Sequence, residues 1–60
     1  MDDKKKLFFL IAVNSFETTD KELAQRNAEN VVDNIETKED LDFVLSLLTE
    51  EERAYVEAEL

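Results

Sequence analysis

The sequence predicts an α+β fold with one N-terminal β-strand, at about residues 6–16, followed by three short helices at about residues 20–35, 38–48 and 50–59. Three observations lead to this prediction. A continuous apolar segment occupies the N-terminal quarter, and a helix-capping motif follows it three times. The 60 residues also contain no glycine and no proline, which disfavours hairpin turns and a multi-stranded sheet.

The N-terminal segment from Leu7 to Phe16 reads LFFLIAVNSF. As a helix it would be apolar on every side, which is unusual at the surface of so small a protein. Its Phe, Ile and Val residues favour a strand. A single strand cannot satisfy its own backbone, so we expect it to pair with the same strand of a second copy, in a homodimer. If the segment is instead a helix, the alternative is an all-α four-helix bundle.

The three helices are predicted from the pattern Ser/Thr-x-x-acid, which occurs at residues 19–22, 37–40 and 49–52. In this capping box the Thr hydroxyl accepts from the N3 amide, and the N3 acid accepts from the Thr amide. Apolar residues at helical spacing follow each motif. The predicted core-facing residues are Ala24, Ala28, Val31, Ile35, Leu41, Val44, Leu45, Leu48, Val56 and Leu60.

The composition limits the chemistry that the chain can perform. Without cysteine or histidine it has no disulfides, no zinc-finger ligands and no catalytic thiol or imidazole. There is no Gly-rich phosphate-binding loop. We therefore predict a single-domain protein over residues 1–60 that is not an enzyme and needs no metal or cofactor. The longest apolar run, residues 7–13, is too short to cross a bilayer, and we predict a cytoplasmic protein.

The net charge of −9 is distributed unevenly. Residues 1–30 carry a net charge of −1, whereas residues 31–60 have ten acidic and two basic side chains, a net charge of −8. Such a surface repels phosphate backbones and attracts basic partners. It could also imitate DNA. The carboxylates that could stand for phosphates are Asp33, Glu36, Glu39, Asp40, Asp42, Glu50, Glu51, Glu52, Glu57 and Glu59.

These features favour a small acidic regulatory or adaptor protein that acts by protein–protein contact, and a partner with a basic surface would suit its charge. The candidate partner-binding residues combine apolar side chains that could line a groove with an acidic helix start. They are Phe43, Leu47, Tyr55, Glu50, Glu51 and Glu52. The alternative is a DNA-mimic inhibitor of a nucleic-acid-binding protein. A third hypothesis is a DNA-binding regulator that uses a short arm of lysines at residues 4–6, although the net charge opposes direct contact with nucleic acid.

Overall fold

The computed structural model describes residues 2–60, which form four helices and no strand. The helices are α1 (Asp3–Asn14), α2 (Lys21–Asp33), α3 (Lys38–Leu47) and α4 (Glu50–Ala58). The predicted strand at residues 6–16, and the pairing of that strand across a homodimer, are therefore wrong. The all-α four-helix alternative is confirmed, and the three later helices lie within two residues of their predicted bounds.

The N-terminal segment is helical because a helix satisfies its backbone hydrogen bonds within the segment, which a lone strand cannot do. Asp2 caps α1, and its carboxylate accepts a hydrogen bond from the Lys5 amide at 2.8 Å. Only one side of the helix is covered. Phe9 is fully buried, and Ala12 and Val13 are partly buried against the core. The apolar character on every side, which favoured a strand, instead leaves apolar side chains exposed on α1.

The start of α2 also differs from the prediction. The cap is Asp20 and not Thr19: the Asp20 carboxylate accepts from the amides of Glu22 and Leu23 at 3.0 and 3.2 Å. Aspartate is at least as good an N-cap as threonine, so the helix begins one residue later than the Thr19 motif implies. The Asp20 amide in turn donates to the Thr18 hydroxyl at 3.2 Å.

Both remaining capping boxes are formed as predicted. The hydroxyls of Thr37 and Thr49 accept from the amides of Asp40 and Glu52, and each acid accepts from the Thr amide in return. The second box follows directly on buried Leu48, so α3 and α4 meet at a sharp corner. No residue of the described chain has a positive φ, which is how this corner forms without glycine.

The core lies where α2 packs against α4 on one side and against α1 on the other, with α1 also resting on α3. Small residues on α2 allow the close approach of its neighbours. The buried apolar residues are Phe9, Phe16, Ala24, Ala28, Val31, Val44, Leu48 and Val56. A side-chain amide also joins two helices: Gln25 of α2 donates to the Tyr55 carbonyl at 3.0 Å and to the Glu59 carboxylate at 2.7 Å.

Phe9 is the largest side chain that is completely buried, so Phe9→Ala should be the most damaging truncation in α1. Removing a buried phenylalanine costs about 3–5 kcal/mol, a large part of the total stability of a 60-residue domain. Urea unfolding followed by circular dichroism would measure the loss.

The matched control is Ile11→Ala, a truncation in the same helix at a side chain that is 63% exposed. It should cost about 1 kcal/mol, because most of this side chain is already in water. Equal losses from the two variants would contradict the burial of α1 through Phe9.

Candidate functional site

Four large apolar side chains of α1 are exposed to solvent over a third to two thirds of their surface. Leu7, Phe8, Leu10 and Ile11 are 57%, 37%, 44% and 63% exposed, respectively. At 100° per residue they occupy one continuous arc of the helix, opposite the side that carries Phe9. We call these four residues the α1 apolar face.

The α1 apolar face exists because the chain has too few elements to surround an apolar helix. Helices α2 and α3 cover the side of α1 that carries Phe9, and the Phe9 and Phe43 ring centroids are 6.4 Å apart. The face itself points away from this contact. Leu23 of α2 is also 44% exposed. One helical turn after Leu23, the side-chain amide of Asn27 donates to the Ser15 carbonyl at the end of α1.

The predicted apolar site residues are partly buried, and two of them pack on the core. Phe43 faces Phe9 of α1. Tyr55 stacks on Phe16, with ring centroids 6.4 Å apart and an angle of 21° between the rings. Leu47 is half-buried. Phe43 and Tyr55 thus contribute much of their surface to the interior, and the more exposed apolar surface lies on α1.

The predicted acidic site residues form the first turn of α4. Glu52 belongs to the capping box, where its carboxylate accepts from the Thr49 amide at 2.9 Å. Glu50 and Glu51 are exposed. All three carboxylates lie near the positive end of the helix dipole, which stabilises them there. The helix start therefore accounts for their presence without a ligand.

An ion pair that includes one buried carboxylate joins α1 to the start of α3. The Lys5 ammonium lies 2.6 Å from the Asp40 carboxylate and 2.7 Å from the Glu36 carboxylate. Asp40 is only 3% exposed, the lowest exposure of any charged residue in the described chain. The Asp40 carboxylate also accepts hydrogen bonds from the amides of Glu36 and Thr37, at 3.0 and 3.3 Å. These bonds fix Asp40 at the start of α3. The sequence pattern predicts that Asp40 belongs to a capping box, but it does not predict the contact of Asp40 with Lys5, which lies 35 residues earlier in the chain.

The ion pair shifts the pKa of both groups. Hydrogen bonding from Lys5, followed by that from the Glu36 amide, lowers the pKa of Asp40 from 3.8 to about 2. The hydrogen bonds to Asp40 and then Glu36 raise the pKa of Lys5 above its ordinary value of 10.5. Both shifts favour the charged forms, so this pair persists over the whole physiological pH range.

A surface cavity of about 330 Å³ lies over this ion pair. Its lining residues are Asp2, Lys5, Glu36, Thr37, Glu39 and Asp40. Lys5 already occupies the position where a bound cation would neutralise the acidic side chains. In the described residues, no group of three or more Asp, Glu, His or Cys side chains is arranged to hold a metal ion. The ion pair explains the acidic lining of this cavity as part of the fold.

Comparisons of the chain with models of protein families, with curated proteins and with solved structures found no match. Within residues 2–60, no helix combines the length and the apolar content that a bilayer crossing requires. Two features of the structure bear on function: the Lys5–Asp40 ion pair, which the fold accounts for, and the α1 apolar face, which it does not.

The Lys5–Asp40 pair should make stability depend on pH at the acidic end. Because the folded-state pKa of Asp40 is about 2 and its ordinary value is 3.8, the unfolded chain binds the proton first. The contribution of the ion pair to the free energy of unfolding is complete above about pH 4 and is lost as the pH falls towards 2. Asp40→Asn should destabilise the protein at pH 7. The difference in stability between this variant and the wild type should shrink as the pH falls from about 4 to about 2.

Urea midpoints between pH 7 and pH 2 would measure this difference. Asp42→Asn, at an exposed position of the same helix, is the matched control and should have a much smaller effect at pH 7. A gap between Asp40→Asn and the wild type that stays constant down to pH 2 would contradict the ion pair.

Proposed function

We propose that this chain is a non-enzymatic adaptor or regulatory protein that acts by protein–protein contact, and that the α1 apolar face is its contact surface. The observation that carries the proposal is the exposure of Leu7, Phe8, Leu10 and Ile11 on one side of one helix. Scattered apolar residues are normal on protein surfaces, but a contiguous group of this kind marks an interaction site.

The size of the face supports a binding role. Four side chains of this size and exposure amount to an apolar patch on the order of 400 Å², similar to the largest patch on an ordinary monomer. Here it lies on a chain of only 60 residues with a net charge of −9. The charged side chains are the residues that keep such a protein dissolved, so apolar surface of this extent is costly unless a partner covers it.

The residue types support the non-enzymatic part of the proposal, since the sequence has no histidine or cysteine to serve as a general base or a thiol nucleophile. A cytoplasmic location remains part of the proposal. The excess of acidic residues on α3 and α4 would attract a basic partner at long range, before contact at α1.

DNA mimicry has less support than protein contact. Asp40, one of the carboxylates that could imitate a phosphate, is buried in its ion pair with Lys5. Glu52 is held in a capping box, and Glu50 and Glu51 complement a helix dipole. These acidic residues thus have local structural roles, whereas Leu7 and Ile11 of the α1 apolar face are 57% and 63% exposed. Direct binding of nucleic acid is disfavoured by the net charge.

Site-specific photo-crosslinking in the cells that produce the protein tests this proposal. A photoreactive amino acid at Leu7 should yield a discrete adduct with another polypeptide, because a partner would cover that position. The control carries the same probe at Leu60, which is 64% exposed but lies at the C-terminus, outside the α1 apolar face.

A second control repeats the Leu7 probe in an Ile11→Glu background. Placing a charge in the centre of the contact should remove the adduct, since burying an unpaired carboxylate is strongly unfavourable. The proposal is wrong if the Leu7 probe gives no adduct, or gives the same adducts as the Leu60 probe.

A further inference from the structure

We draw no further inference here: the strongest candidate, the exposed patch on α1 that the α1 apolar face forms, belongs to the contact surface already proposed, and nothing in the structure shows what covers it.

Discussion

Helix α1 packs on α2 and α3 through one side only, and this packing sets both the core and the exposed surface of the molecule. The chain has no disulfide and few residues with which to build a core, so burial of Phe9 between α2 and α3 supplies a large share of it. The same helix is apolar on its other side, and three short helices cannot surround it. The packing that buries Phe9 therefore also leaves the α1 apolar face exposed.

The orientation of α1 is set by polar contacts at its two ends. At its start, Lys5 reaches Asp40 and Glu36 at the start of α3, while Asp2 caps the helix. At its end, Asn27 of α2 donates to the Ser15 carbonyl. These contacts determine which side of α1 turns inward. The Asp40 carboxylate is buried and binds both Lys5 of α1 and the amides of Glu36 and Thr37, so Asp40 fixes the position of α1 along α3.

The helices from residue 21 onward could be predicted from sequence because their signals are local. The capping motifs at Thr37 and Thr49 and the apolar spacing on α2 each involve residues within a few positions of one another. Segment 7–16 could not be assigned in this way, since β propensity and an apolar pattern fit either a strand or a helix with one covered side. The decisive difference is the backbone: a helix needs no partner, and residues 2–60 contain no strand with which this segment could pair.

The candidate site could be predicted only in part. Apolar, interface-prone side chains predict Phe43 and Tyr55 as contact residues, but in the structure the two rings pack against Phe9 and Phe16, respectively. The exposed face was present in the sequence as the Leu7–Ile11 run, but its exposure depends on which side α2 and α3 cover. The Lys5–Asp40 contact spans 35 positions and has no local signal. Long-range contacts decide surface exposure, and sequence patterns alone do not contain them.

Helix α1 buries Phe9 and presents Leu7 and Ile11 outward. Nuclear Overhauser spectra of isotope-labelled protein, recorded at a concentration where the chain is monomeric, test this most directly. Helical contacts throughout residues 3–14 are expected, with the Phe9 ring close to Phe43, and no contact from the Leu7 or Ile11 methyl groups to α2, α3 or α4. Cross-strand contacts in residues 6–16, or contacts from Leu7 and Ile11 to the core, would contradict the account.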